Sequence, residues 1–278
     1  MTVDEYLKEF TLIKSFKNTG QKKVSLAKPN RGGEPVIIKI GKSPSQHLFK
    51  RAKREVEVQR SLKSSYYPKN FDFILFEGNR FVIVEEYIES QALSDCFDIF
   101  RGPRDILILL KHLICGLDLI WKSKVTHRDL KPDNILIKPD KTPVIIDLGI
   151  VLAEEKSTLT LPFSRSPCTP NYAAPEQLKN RRAEIDHRTD QFILGIDILQ
   201  LIEEGKHPFS PSYVGFGANI PENILNGNLI KNRLNDSKFV KMKALVSRLL
   251  APEPYKRFRN TNLLKEEIAI VLGAYDEV

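Results

Sequence analysis

The chain has 278 residues, of which 41% are hydrophobic and 28% are charged, a composition ordinary for a soluble globular protein. Three scattered cysteines without a C-x-x-C spacing argue against a structural zinc site or a disulfide framework, and favour a reducing, cytoplasmic compartment. No uncharged apolar run is long enough to cross a bilayer, and we expect neither a signal peptide nor a membrane span.

The first ninety residues have the pattern of a strand-rich region. Apolar runs at 24–26 and 36–40 flank a Pro- and Gly-containing turn, and this predicts a hairpin. Residues 47–62 carry a single apolar stripe at helical spacing and predict a largely polar helix. Two further apolar runs, 71–76 and 81–84, are joined by a four-residue turn and predict a second hairpin.

Beyond residue 87 the pattern changes to that of helices. Leucines and other apolar residues recur at helical spacing over 105–122, 189–204 and 238–250. Two short strands are predicted between them, at 135–137 and 144–146. The sequence therefore predicts an α+β fold with a small β-rich first lobe and a larger helical second lobe, which meet near residues 85–90.

A polar motif whose side chains could take part in catalysis precedes the first of these short strands. It reads His-Arg-Asp-Leu-Lys-Pro-Asp-Asn and spans residues 127–134. Asp129 can accept a hydrogen bond from an attacking hydroxyl, and Lys131 can neutralise phosphate charge. Asn134 offers an amide oxygen and Asp147, after the second strand, a carboxylate, and both suit Mg²⁺. This set of groups suits phosphoryl transfer, in which positioning and charge neutralisation do most of the catalysis.

The motif resembles the catalytic loop of the eukaryotic-type (Hanks-type) protein kinases. Further segments similar to that family follow in the expected order: Lys39, Glu55, the run Asp147-Leu148-Gly149, the run Ala174-Pro175-Glu176, Asp190, Gly195 and Arg257. The resemblance implies a bilobal protein kinase domain over 1–278, with an N-lobe at 1–87, a hinge near 85–90 and a C-lobe at 91–278. It also implies transfer of the γ-phosphoryl group of ATP, with Mg²⁺, to Ser or Thr of protein substrates.

The resemblance assigns roles to individual residues. Lys39 would contact the α- and β-phosphates, and Glu55 would pair with it, with Glu57 as the alternative partner. Asp129 would be the catalytic base, and Asp147 and Asn134 would hold the metal. The residues that would line the nucleotide site are Lys17, Gly20, Lys22, Val24, Ile37, Lys39, Glu86, Tyr87 and Leu136. Lys131 and Thr169 occupy positions that favour Ser/Thr over Tyr as the phosphate acceptor.

The glycine-rich nucleotide loop departs from the family pattern. Lys17, Thr19 and Lys22 stand at the three usual glycine positions, and only Gly20 remains. Glycines there let the backbone approach phosphates closely. We therefore expect Lys17, Lys22 and Lys23 to reach the phosphates as point charges instead. Ile37 makes the roof of the adenine pocket bulkier than usual, and Gln59 replaces an apolar residue that normally links the lobes.

Two other functions remain open from the sequence. A pseudokinase scaffold with weak nucleotide binding would explain the degenerate loop, and a small-molecule kinase of the aminoglycoside-phosphotransferase type would share the catalytic and metal-binding residues. We expect autophosphorylation at Ser164 or Ser166. The net charge of +8 is concentrated in the first ninety residues. We interpret this charge as a solvated surface, so nucleic acid is not an expected partner, and the oligomeric state stays undetermined.

Overall fold

The described chain divides into two units. The computed structural model describes residues 1–16, 22–42, 46–148 and 168–276, with side chains for all of these except 46–51. The first unit comprises Met1–Glu89 and a short segment that begins at Ile146, and the second begins at Ser90. Gly149 and the predicted phosphorylation sites Ser164 and Ser166 lie outside the described residues.

A five-stranded antiparallel sheet dominates the first unit, with its strands in the order β1-β2-β3-β5-β4. Both predicted hairpins are confirmed, because β2 pairs with β3 and β4 pairs with β5. The elements are α1 (Val3–Leu7), β1 (Phe10–Ser15), β2 (Lys22–Pro29), β3 (Val36–Lys42), α2 (Gln46–Ser61), β4 (Asn70–Phe76) and β5 (Arg80–Glu86). The sequence predicted all of these except α1 and β1.

The two faces of this sheet are covered by different helices, since successive side chains of a strand point to opposite faces. One face packs against α1 in a cluster of Val3, Tyr6, Ala27, Val36, Ile38, Val82 and Val84. The other face packs against α2, where Ala52 and Val56 contact Phe81 and Ile83. Lys39 lies between Ile38 and Ile40 along β3, so its side chain is on the face that α2 covers.

The second unit is mainly helical. A small three-stranded sheet, in the order β6-β7-β8, accompanies its helices. The elements are β6 (Gln91–Ala92), α3 (Pro103–Lys122), β7 (Ile135–Ile137), β8 (Pro143–Ile145), α4 (Pro175–Leu178), α5 (His187–Ile202), α6 (Pro211–Val214), α7 (Ile220–Asn226), α8 (Lys243–Leu249) and α9 (Thr261–Ala274). Within the described ranges, no helix combines the length and the apolar character needed to cross a membrane.

Helix α5 forms the core of the second unit and positions its polar loops. Every residue from Thr189 to Ile202 is buried. The helix begins at an N-cap, Asp186, whose side chain accepts a hydrogen bond from the backbone N–H of Arg188. Its first turn carries the buried Asp190, and Gly195 lies where an added Cβ would come within 2.9 Å of Leu250. The close packing explains a glycine in the middle of this helix.

Candidate active site

Asp190 anchors the loop that carries the catalytic motif. Its carboxylate accepts hydrogen bonds from the backbone N–H groups of His127 and Arg128 and from the indole N–H of Trp121, each at 2.8 Å. Arg128 has a φ of 68°, a left-handed conformation that is costly for a non-glycine residue and needs such support. The side chain of Gln177 donates to the carbonyl of Arg128 at 2.9 Å. The backbone before Asp129 is therefore fixed from both sides.

Thr169 holds the carboxylate of Asp129. Oδ1 of Asp129 accepts hydrogen bonds from the backbone N–H and from the hydroxyl of Thr169, at 2.9 and 2.7 Å. Nζ of Lys131 donates to the same hydroxyl at 3.2 Å. Thr169 therefore contacts both Lys131 and Asp129. One carboxylate oxygen is thereby fixed in position, with an ammonium group nearby.

Asn134 belongs to the same loop and has a fixed orientation. It ends a 3-10 turn that spans Pro132–Asn134, and its side chain is buried. The side-chain N–H₂ donates to the backbone carbonyl of Asp129 at 2.8 Å. The amide nitrogen is therefore used internally, and the amide oxygen is the atom that remains to act as a metal ligand.

In the first unit, Lys39 is bound by two carboxylates. Its Nζ lies 2.6 Å from Oδ1 of Asp147 and 2.8 Å from Oε2 of Glu85. Burial alone would lower the pKa of the Lys39 ammonium, but the nearby carboxylates of Asp147, Glu85 and Glu55 outweigh burial and raise it. The side chain therefore carries its positive charge at neutral pH.

The predicted pairing of Glu55 with Lys39 is wrong in this structure. Both carboxylate oxygens of the buried Glu55 accept hydrogen bonds from Nζ of Lys22, at 2.9 and 3.1 Å. A buried carboxylate needs a cationic partner, and Lys22 supplies it from β2. The alternative partner of Lys39, Glu57, is half-exposed and pairs with Lys53 and Arg54 along its own helix.

The same contact corrects the predicted role of Lys22 as a free cation for phosphate, since its ammonium is already bound to Glu55. Lys23 has an exposed side chain, which leaves it accessible. Lys17 and Gly20 lie outside the described residues. The predicted direct replacement of glycine backbone contacts by Lys22 therefore does not hold for this structure.

The other predicted nucleotide-site residues are divided between the units. Val24 lies opposite Lys39, and Ile37 lies opposite Glu85, so both share the sheet face of Lys39. The Glu86 carboxylate accepts a hydrogen bond from the backbone N–H of Lys69 at 3.0 Å, and Tyr87 follows as an exposed residue. Leu136 lies in β7 of the second unit and is half-buried.

The charge and donor atoms of these groups fit a Mg²⁺ ion. Around Lys39, the carboxylates of Glu55, Glu85 and Asp147 outnumber the ammonium groups of Lys22 and Lys39. That surplus of negative charge favours a cation. Asp147 in the first unit and Asn134 in the second each offer a hard oxygen atom of the kind that Mg²⁺ prefers. Among the described residues there is no cluster of three or more His, Cys, Asp or Glu side chains that could hold a metal ion.

A buried ion pair ties α4 to the segment that precedes α9. Nη1 and Nη2 of Arg257 donate to the two carboxylate oxygens of Glu176, at 2.7 and 3.0 Å. The hydroxyl of Thr189 donates to the same carboxylate at 2.8 Å. Both charged side chains are almost fully buried. Arg257 and Glu176 thus form a bidentate ion pair, the strong form of an interaction between a guanidinium group and a carboxylate.

Sequence reasoning missed the role of Glu85. The hinge expected near residues 85–90 includes Glu85, whereas the side chain of this residue is buried against Lys39. A signal was available, because Glu85 directly follows the apolar run of residues 81–84. An acidic side chain that continues a buried strand requires a cation, and Lys39 is the buried cation on the neighbouring strand.

Comparisons with known proteins agree with this geometry. The family model described as the protein kinase domain matches residues 19–268. A probable serine/threonine-protein kinase of Clostridium acetobutylicum is 24% identical over 88% of this chain and 37% of its own length. The serine/threonine-protein kinase PknA of Corynebacterium glutamicum is 24% identical over 92% of this chain and 54% of its own length. The maternal embryonic leucine zipper kinase of Xenopus tropicalis is 26% identical over 95% and 40%. The alignments thus cover little more than half of each relative at most.

Proposed function

Since the chain belongs to the protein kinase domain family, we propose that it is an active ATP-dependent serine/threonine protein kinase domain. The observation that carries the proposal is the carboxylate of Asp129, held by Thr169 beside Lys131. This arrangement presents a fixed hydrogen-bond acceptor next to a positive charge, as transfer of a phosphoryl group to a hydroxyl requires. The named serine/threonine kinases among the relatives support the choice of acceptor.

In the proposed reaction, the hydroxyl oxygen of a substrate Ser or Thr attacks the γ-phosphorus of ATP, and the bond to the β-phosphate oxygen breaks. Oδ2 of Asp129 accepts the hydroxyl proton, while Oδ1 stays bound to Thr169. Lys131 stabilises the charge on the transferred group, and Lys39 binds the α- and β-phosphates of the nucleotide. Mg²⁺, held through Asn134 and Asp147, would neutralise the phosphate oxygens.

The two alternatives fit less well. A pseudokinase would not need Asp129, Asn134 and Lys131 in one hydrogen-bonded loop, and this chain retains all three with defined partners. A small-molecule kinase would lack the pairing of Glu176 with Arg257, which is buried and complete here. Protein substrates carrying Ser or Thr are therefore the proposed partners, and a cytoplasmic location stays a prediction of the sequence.

The proposal is tested by the substitution Asp129→Asn. Asparagine keeps the shape and the oxygen that accepts from Thr169, but it cannot take the proton of the hydroxyl. We expect kcat to fall by about 10²–10⁴-fold, the usual contribution of a general base. The measurement is phosphate transfer from radiolabelled Mg-ATP to a mixed Ser- and Thr-containing protein substrate, with ADP affinity measured in parallel.

A matched control is Asp133→Asn, which makes the same change four residues later on an exposed side chain that accepts from Ser94. The control is expected to transfer phosphate at a rate close to that of the unmodified chain. Equal activity in the Asp129 and Asp133 variants would refute the assignment of the base, and no transfer by the unmodified chain would favour the pseudokinase.

A further inference from the structure

The buried pair of Lys39 and Glu85 is formed within the sheet itself. The two residues are 5% and 2% exposed, and Nζ of Lys39 lies 2.8 Å from Oε2 of Glu85. In the register of β3 and β5, Lys39 is opposite Ile83 and Ile37 is opposite Glu85. Lys39 and Glu85 are thus diagonal neighbours on one face, a separation that a lysine and a glutamate can bridge.

The two strands that carry this pair, β3 and β5, are hydrogen-bonded to each other without interruption. Pairing of β3 with β5 runs from Val36 opposite Glu86 to Lys42 opposite Arg80, without a bulge. The backbone positions of Lys39 and Glu85 are therefore fixed relative to each other by the strand hydrogen bonds. Asp147, the other partner of Lys39, lies outside the sheet on a separate segment of the chain.

Helix α2 makes its own, separate ion pair. Its Glu55 binds Lys22 of β2 through both carboxylate oxygens. Since α2 is joined to the sheet through side-chain packing rather than through strand hydrogen bonds, it can shift without altering the register of β3 and β5. A displacement of α2 would change the Lys22 contact and leave the Glu85 contact in place.

We propose that Glu85 is the positioning residue for Lys39 in this kinase domain, so that the phosphate-binding lysine is held by the sheet and not by α2. The inference rests on the proposed function for the role of Lys39 towards nucleotide phosphates. Removal of the Glu85 charge leaves the buried Lys39 ammonium with Asp147 as its remaining bound carboxylate, and the lysine side chain loses the contact that fixes it to the sheet. Phosphate binding then loses a pre-positioned cation, whereas binding of the nucleoside part does not.

Four single variants separate this role from a general structural one. Glu85→Gln removes the charge at nearly constant shape, and Glu85→Asp retains the charge on a shorter side chain. Glu55→Gln removes the carboxylate of α2. Glu57→Gln is the matched control on the same helix, where the side chain is half-exposed. Each is assayed for kcat and KM for ATP, and for the Kd of ADP and of adenosine, which has no phosphate.

The expected pattern is specific. Glu85→Gln weakens ADP binding and lowers kcat/KM by about 10–100-fold, the factor that corresponds to one hydrogen bond between charged groups, and leaves the adenosine Kd unchanged. Glu85→Asp recovers most of the ADP affinity. Glu55→Gln causes a smaller loss of ADP affinity, about threefold relative to Glu57→Gln. Thermal unfolding of each variant establishes that it is folded.

Three results would overturn the proposal. One is a loss in Glu55→Gln equal to or larger than that in Glu85→Gln, which would place Lys39 under the control of α2. Another is an equal loss of adenosine and ADP binding in Glu85→Gln, which would assign Glu85 to the nucleobase. The third is unchanged ADP affinity in Glu85→Gln.

If Glu85→Gln does not fold, a tenfold or greater loss of ADP affinity in Glu55→Gln still refutes the proposal. The failure of the proposed function is seen separately, since an unmodified chain that transfers no phosphate can still be tested for binding of ADP and adenosine. If the unmodified chain transfers phosphate and Glu85→Gln leaves its ADP affinity and kcat/KM unchanged, only this inference is overturned.

Discussion

At the scale of single residues, the hydroxyl of Thr169 has a role that its chemistry defines. A hydroxyl has one hydrogen to donate and two lone pairs that accept. Lys131 can only donate, so the Thr169 hydroxyl accepts from Lys131 at 3.2 Å and donates to Asp129 at 2.7 Å. The Thr169 hydroxyl therefore links the Lys131 ammonium to the Asp129 carboxylate and orients both groups.

We expect Thr169→Val to lower kcat by about 10-fold or more, because a hydrogen bond to a charged group contributes about 1.5–3 kcal/mol. The backbone N–H of residue 169 still donates to Asp129, so the loop is expected to remain in place. Steady-state phosphorylation of a protein substrate provides the measurement. Thr169→Ser, which restores the hydroxyl, is the control, and a serine variant as slow as the valine variant would show that the methyl group rather than the hydroxyl matters.

Contiguous motifs made some residues predictable and left others hidden. The catalytic loop could be interpreted from its sequence because Asp129, Lys131 and Asn134 lie within six residues and their spacing fixes their geometry. The partner of Lys39 could not be predicted in this way. It depends on the register of β3 and β5 and on which face Glu85 occupies, and a one-residue change of register would move Glu85 to the other face.

At the scale of secondary-structure elements, length decided what the sequence could predict. The long helices α3 and α5 were predicted to within two residues at each end, because their apolar positions repeat over several turns. Helix α1 has five residues, too few for a periodic pattern. Thr2 and Glu5 form a capping box, and this short motif is visible in the sequence as a sign of a helix start. Helix α9 was missed despite its 14 residues and its N-cap, Asn260.

Helix α5 contains an acidic side chain, Asp197, without a hydrogen-bond partner among the described residues. Asp197 is fully buried in the middle of the helix, and neither carboxylate oxygen has a hydrogen-bond partner among the described residues. Burial raises its pKa well above the usual value of 3.8, and the nearby carboxylate of Asp133 raises it further. The neighbouring Tyr172, whose hydroxyl donates to Gln200, also has a raised pKa, through burial and then through Asp197.

The raised pKa of Asp197 predicts a pH-dependent loss of stability. Between pH 3.8 and the raised pKa, the folded state keeps a proton that the unfolded state releases, so stability falls as pH rises through this window. Each unit of pKa difference costs about 1.4 kcal/mol. Asp197→Asn removes this titration, and we expect the variant to be more stable than the unmodified chain at pH 8 and nearly equal to it near pH 4.

Urea unfolding followed by circular dichroism at several pH values measures the effect. Asp98→Asn, which makes the same change on an exposed side chain, is expected to follow the unmodified chain at every pH. If the stability advantage of Asp197→Asn were the same at pH 4 and pH 8, the effect would come from packing or hydrogen bonding and not from the titration of Asp197.

At the scale of the whole molecule, the chain divides into two units, and the first division falls between Glu89 and Ser90. The hinge near residues 85–90 stays a prediction of the sequence. The return of the segment at Ile146 to the first unit was not predicted, because β7 and β8 just before it belong to the second. The contact of Asp147 with Lys39 gives the physical reason. Side-chain pairing over 108 residues of separation leaves no local pattern in the sequence.

The proposed metal ligands make nucleotide binding a measurable property of the whole chain. A ligand that binds only the folded state at about 100 times its Kd stabilises it by about 2.7 kcal/mol. For a chain of this size that corresponds to a rise in Tm of about 5–10 °C. We expect Mg-ADP to give a rise of this order and ADP with EDTA a smaller one. The difference between the two rises reports the contribution of Mg²⁺ alone.

Asp147→Ala removes a carboxylate that we propose as a ligand of Mg²⁺, while Glu85 remains to bind Lys39. We therefore expect the variant to show the same small rise in Tm with ADP whether Mg²⁺ or EDTA is present. Each rise is taken relative to the ligand-free form of the same variant, so that any loss of intrinsic stability cancels. Asn134→Ala is expected to lose the Mg²⁺ contribution as well, and Asp133→Asn to retain it. A full Mg²⁺ contribution in Asp147→Ala would exclude this carboxylate as a ligand, because the variant would then bind the ion as well without it as the unmodified chain does with it.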